Sequence, residues 1–259
     1  MNVLVLVKHV YDESQLKVDR VSGRVGFEGV PGKMSDFDRH AIEASLVIRA
    51  TVGGKVTALT FGRAEAVKSL REALAMGVDR AVLIREENFE MLDVKATADV
   101  IRAACDKLGP FDLFLCAEGS VDVYSSLLAP VLSEKLGLPL VSYAQSLVVK
   151  DNAVVAERAL ERKLEMVEVA LPAVISVTGE VNSPRIPTLL QIMAAMKKEI
   201  VTFTLQDLGL NIEKLKSAGF AVTGYSGKSK ERRKVIFEGT PSETATKLLE
   251  ILNREGLLS

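Results

Sequence analysis

A chain of 259 residues lies at the upper edge of what one domain holds and is long enough to bury a sizeable core. Its 48% hydrophobic and 26% charged residues exclude a disordered or fibrous protein, and a formal net charge of -1 excludes a global field that would draw it to nucleic acid or anionic lipid. Binding has to be local and shaped.

The start, Met1-Asn2-Val3, lacks the basic stretch of a leader, and no apolar run is long enough to cross a bilayer, so the chain reads as cytoplasmic without a transmembrane segment. Residues 2 to 8 are nearly all Val and Leu, the pattern of a strand covered on both faces. Residues 55–61, 81–84 and 112–116 repeat that character, with helical periodicity at 36–50, 63–76 and 94–107 in front of them and a further helix expected over 122–136. Such alternation predicts right-handed βαβ crossovers and a layered α/β fold with a mostly parallel sheet and helices on both faces. After Leu138-Pro139 the alternation weakens, and 141–149, 154–158, 164–170 and 173–178 read as sheet extension with antiparallel additions. Cys105 and Cys116 match neither a redox pair nor a zinc pattern and read as buried thiols; no metal site is expected.

Pro184 and Pro187 fix an extended entry to a short Met-rich helix, in which Leu189, Ile192, Met193 and Met196 recur at helical spacing. That helix is either an ordinary core helix after a turn or an exposed surface shaped for a partner. From about 201 the pattern dissolves, and 223–234 is a polar arm. Thr240, Pro241 and Glu243 then form a helix start with a T-x-x-E capping box, and Leu248, Leu249, Ile251 and Leu252 give the helix one apolar side. The expected division is 1–222, a nucleotide-binding α/β domain, and 223–259, a C-terminal arm.

In an open parallel sheet, ligands collect beyond the carboxyl ends of the strands where strand order reverses. Those ends carry 7–9, 61–63 and 116–122, with 35–38 at the start of an early helix. The small residues Ala117, Gly119 and Ser120 let main-chain amides approach a phosphate, and the helix expected next offers its positive end, so a bound nucleotide is the expected tenant. Gly224 to Ser229 lacks the first glycine of a P-loop because Val222 stands there, and Gly23 to Gly29 has the wrong spacing for a dinucleotide fingerprint and reads as a turn. No G-x-S-x-G elbow is present. The basic run Lys228, Lys230, Arg232, Arg233 and Lys234 raises a nucleic-acid binder as a rival reading, but without interleaved aromatics it reads better as a solvated tether. A stand-alone nucleotide-binding regulator is the other rival.

Three stretches carry a family resemblance. Pro184 to Lys198 (PRIPTLLQIMAAMKK) resembles the partner-recognition loop of electron transfer flavoprotein beta subunits; Leu70 to Ile84 (LREALAMGVDRAVLI) resembles another hallmark of that family; and Val3 to Lys8 with Val10 and Asp12 resembles a third. The resemblance implies a sheet of the adenine-nucleotide-hydrolase-like, Rossmann-like kind. It implies a heterodimer with an FAD-holding alpha subunit, onto which the C-terminal arm reaches. It also implies electron relay rather than substrate conversion, with AMP in this subunit or, in electron-bifurcating members that oxidise NADH, a second FAD. By position, Leu6, Ser35, Phe61, Ser120, Asp122, Ser125 and Ser126 would line that nucleotide. Residues from Lys8 to Glu13 would cover part of the flavin, with Lys8 at the site and His9 either a donor to a flavin carbonyl or structural; His40 reads as structural. Leu189, with Ile192, Met193 and Met196, would dock a dehydrogenase. The chain departs from the family where Asp122 is followed by Val123 and Tyr124, where Ser35-Asp36 replaces Asn-Pro, and over 160–168.

Overall fold

The computed structural model describes residues 1–19, 21–89, 92–216, 224–227 and 234–258. The strands are β1 (Asn2–Leu6), β2 (His9–Tyr11), β3 (Lys17–Val18), β4 (Val25–Gly26), β5 (Gly32–Met34), β6 (Lys55–Gly62), β7 (Arg80–Arg85), β8 (Leu113–Ala117), β9 (Leu140–Lys150), β10 (Ala153–Leu160), β11 (Lys163–Ala170), β12 (Ala173–Val177) and β13 (Ile200–Thr204). The helices are α1 (Asp36–Val52), α2 (Val67–Met76), α3 (Val94–Leu108), α4 (Leu128–Leu136), α5 (Leu189–Lys197), α6 (Ile212–Leu215) and α7 (Pro241–Arg254).

Nine strands form one sheet in the order β11-β10-β9-β12-β8-β1-β6-β7-β13, while β2 pairs with β5 and β3 with β4. From β9 across to β13 every neighbouring pair is parallel; β10 and β11 add an antiparallel edge. The expected α/β architecture is the observed one. Alternate residues of β1 explain the layering: Val3 and Val5 join a core with α1 and α2, and Leu4 and Leu6 join a second core with α3 and α4. A fully buried Leu or Ile in such a core contributes about 1.5–3 kcal/mol, which is why continuous apolar runs mark the central strands.

Three expectations need correction. Residues 173–177 are not an antiparallel addition, because β12 is buried along its whole length and lies between β8 and β9, parallel to both. Order does not dissolve at 201, because Ile200–Thr204 closes the far edge of the sheet beside β7. The helix expected from 122 starts only at Leu128, since Tyr124 and Ser126 stand at φ 47° and 56°, a left-handed backbone no α-helix contains.

The chain divides into two units, one of Met1–Lys17 with Gly26–Gly224 and one of Val18–Val25 with Tyr225–Ser259. In the second, Gly227 N–H donates to Gly23 O at 2.9 Å, and Gly23 sits at φ 68°, so residues 18–25, which the sequence pattern groups with the first domain, belong with the arm. Its helix α7 has the capping box expected from Thr240 and Glu243 with Pro241 in the first turn, and none of its residues is buried. The basic run from Lys228 to Arg233 lies outside the described residues. Among the described residues no helix is long and apolar enough to cross a membrane.

Candidate functional site at the sheet switch point

From β1 the chain runs through α1 to β6 on one side, and later returns through α3 to β8 on the other side of β1. Strand order therefore reverses between β1 and β8, and a crevice opens past their carboxyl ends. Three segments meet there. Lys8, just after β1, sets its Nζ 2.7 Å from Asp122 Oδ2 and donates to Ser120 Oγ at 3.3 Å. The Val121 N–H donates to Ser35 Oγ at 3.3 Å, and Ser35 N–H donates to Lys8 O at 3.0 Å. Ser35 is fully buried at the head of α1, so its role is to join the loops from within.

Beneath them, Asp38 in the first turn of α1 accepts the Lys8 N–H at 2.7 Å. Burial pushes its carboxyl up to about 7; the Lys8 amide and charge and Arg39 oppose this, whereas Asp122 adds to it. The folded state thus holds this proton more tightly than the unfolded chain, so the stability Asp38 contributes is complete below about pH 4 and is lost as pH rises through about 7. Asp38→Asn keeps an acceptor for the Lys8 amide and removes the titration. Denaturation midpoints of the variant should therefore lack the parent's decline between pH 5 and 8, a decline of no more than about 3 kcal/mol; an equally steep decline in both proteins contradicts the assignment.

The loop after Ser120 holds two non-glycine residues, Tyr124 and Ser126, at positive φ. The Tyr124 ring lies so close over Gly119 that a Cβ there would be 2.9 Å from it, and it leans on Phe37 at a centroid distance of 5.4 Å. Among the described residues, the Ser125 and Ser126 hydroxyls and the N–H groups of Ser125, Ser126 and Leu127 find no hydrogen-bond partner. A backbone that alternates in this way can take up an anion between its amides, and Lys8 stands at the Ser120 end of the loop. Leu6 and Phe61 are core side chains instead, Phe61 set edge-on to Phe89 with centroids 6.0 Å apart. Glu118, raised by burial while its bond from Tyr124 opposes, borders the loop.

His9 shares a 2.8 Å hydrogen bond with Ser69 Oγ, and its ring fills the space over Gly32, where a Cβ would stand 2.1 Å from Nε2. Burial, then the Lys68 charge, lowers its pKa, so at neutral pH it is an uncharged packing residue. His40 is likewise structural, its Nδ1 at 3.0 Å from Asn182 O. Glu13 is paired with Lys33 at 3.2 Å. Both thiols are buried and pushed up to about 12, so neither offers a thiolate.

The second cluster is α5. It is not a core helix: Ala195 is its one buried residue, whereas Leu189 is 71% exposed, Met193 57% and Met196 64%, with Ile192 also exposed. Thr188 and Gln191 close a capping box at its start. Arg185 grips Glu43 of α1 through Nε (2.7 Å) and Nη2 (2.8 Å), and these bonds hold the Glu43 carboxyl below the usual carboxylate range. Arg71 of α2 donates to Ala195 O at 2.7 Å and also to Lys198 O. The exposed side chains of α5 and the place of 35–38 at the crevice were legible in the sequence, whereas Glu43 and Arg71 sit inside ordinary helical patterns and, like the Asp38 bond to Lys8, gain meaning only from partners far along the chain. Hollows of about 310 and 420 Å³, lined by Arg85–Glu87 with Thr204–Gln206 and by Leu160–Lys163, include no residue of either cluster.

A mostly parallel nine-stranded sheet with a helix-bearing core on each face defines a doubly wound α/β protein. The sequence model of the electron transfer flavoprotein domain matches residues 24–208. The chain is also 35% identical over 256 residues to the electron transfer flavoprotein subunit beta of Thermoanaerobacterium thermosaccharolyticum, covering 98% of each chain. The chain belongs to the electron transfer flavoprotein beta-subunit family.

Proposed function

We propose that this chain is the beta half of a cytoplasmic heterodimeric electron carrier, whose alpha subunit holds FAD and which takes electrons from a dehydrogenase and delivers them to a downstream acceptor. The observation that carries the reading is α5, an apolar helix left exposed at Leu189, Ile192, Met193 and Met196 yet capped and pinned at both ends. Exposed apolar surface on an ordered element marks a partner site, and methionines adapt to more than one partner. When bound, the flavin supplies the redox chemistry, which the two inert thiols of this subunit do not.

At the switch point, Lys8 and the loop from Ser120 to Ser126 would hold the phosphate of an adenine nucleotide, with Asp38 and Ser35 fixing the loops from below. Lys8 is shared with Asp122, so the site would suit a nucleotide of low charge rather than a triphosphate, and AMP is the occupant we propose, with a second FAD as the alternative. Ligand content of the purified heterodimer tests this. One FAD with one AMP is the expected result; two FAD point to the bifurcating type, and neither AMP nor a second FAD overturns the nucleotide assignment.

A further inference from the structure

The docking helix is held out to solvent, where a nine-residue segment on its own would fray. Two neighbours on one face of α1 prevent that at its entry. Glu43, buried to 7% exposure in the middle of the helix, accepts three hydrogen bonds from Arg185: main-chain N–H at 3.2 Å, Nε at 2.7 Å and Nη2 at 2.8 Å. One turn earlier, His40 O accepts from Asn182 Nδ2 at 2.9 Å. Between and beyond these points, Pro184 and Pro187 leave the chain little freedom before the Thr188 cap. A carboxylate so deeply buried is costly unless paired, and the planar guanidinium is the group that pairs it through two parallel bonds. Breaking the pair therefore releases the entry of α5 while leaving α1 and the sheet in place.

We propose that Glu43, through Arg185, is a positioning residue that holds α5 in its binding-ready pose, so that the ordering cost of docking is met before the partner arrives. This rests on the docking role given to α5 above. An element already fixed in its bound conformation loses little entropy on association, which appears as tighter binding without faster chemistry.

The test uses the heterodimer with its alpha subunit, Glu43→Gln against the parent, and Arg185→Lys as a second variant that keeps the charge but loses the fork. Hydrogen exchange of residues 185–192 should speed up by about tenfold or more in Glu43→Gln, with amides of β1 and β8 unchanged. With a reduced dehydrogenase that donates electrons to the parent heterodimer as the probe, apparent KM should rise by about tenfold at unchanged kcat, and Arg185→Lys should fall between. Unchanged exchange over 185–192 overturns the proposal whatever the kinetics show. Faster exchange with an unchanged KM overturns it too, because the grip is then merely structural. Failure of the docking reading is a separate result, in which Leu189→Ala leaves KM unchanged although Glu43→Gln loosens the segment.

Discussion

Leu189→Ala raises the apparent KM of the heterodimer for its reduced dehydrogenase donor about 30-fold, the equivalent of about 2 kcal/mol, while folding and flavin content stay as in the parent. The side chain is 71% exposed at the first position of α5, so its removal takes away no core contact and leaves no cavity. Its energy is realised only when a partner pocket closes over it, which is the situation of an interface anchor. Neighbouring Met193 and Met196 are expected to matter less singly, because a flexible thioether on one side of a contact can be replaced by its neighbours. Stopped-flow reduction of the heterodimer across a range of donor concentrations checks this, and transfer kinetics identical to the parent would remove α5 from the account.

Deleting the chain beyond Gly227 weakens association with the alpha subunit by about two orders of magnitude, measured by co-purification and by dilution of the purified pair. The arm helix α7 is built to persist: Thr240 and Glu243 satisfy each other's main-chain N–H groups, and Pro241 presets the first turn. Yet no residue of α7 is buried, and Leu248 and Leu249 are exposed. An amphipathic helix with so firm a start and an uncovered apolar side needs a surface from outside its own unit. The sheet and the switch-point site lie in the other unit, so the truncated chain should unfold at the same temperature as the parent alone. Full retention of the pair after truncation would count against this role of the arm.

What could be read from the sequence followed the strength of local signals. Continuous Val and Leu runs gave β1, β6, β7 and β8, because a strand covered on both faces has no polar side to confuse with a helix. The cap of α7 was legible because Thr240, Pro241 and Glu243 act within one turn. The place of β12 was not, since periodicity is silent about which strands become neighbours, and β13, an edge strand only partly buried and with two Thr in five residues, lacks the continuous apolar run of a central strand. The start of α4 was misplaced because Tyr124 and Ser126 adopt a backbone that glycine usually signals. At the candidate site, Lys8, Ser120 and Asp122 are brought together as their strand-end positions suggested, and Ser35 reaches the same loops from beneath. The Asp38 bond to Lys8 and the Glu43 grip escaped notice, for pairs separated by 30 and 142 positions leave no mark in local composition.

Whether this chain is half of a flavin-bearing pair is tested most directly by the absorbance spectrum and mass of the chain purified with and without its alpha subunit. Produced together, the two should elute as one yellow heterodimer whose flavin bleaches reversibly on reduction, whereas this chain produced alone should be colourless. A chain that stays monomeric beside the alpha subunit, carries no flavin in its company, or turns over a substrate unaided would contradict the account.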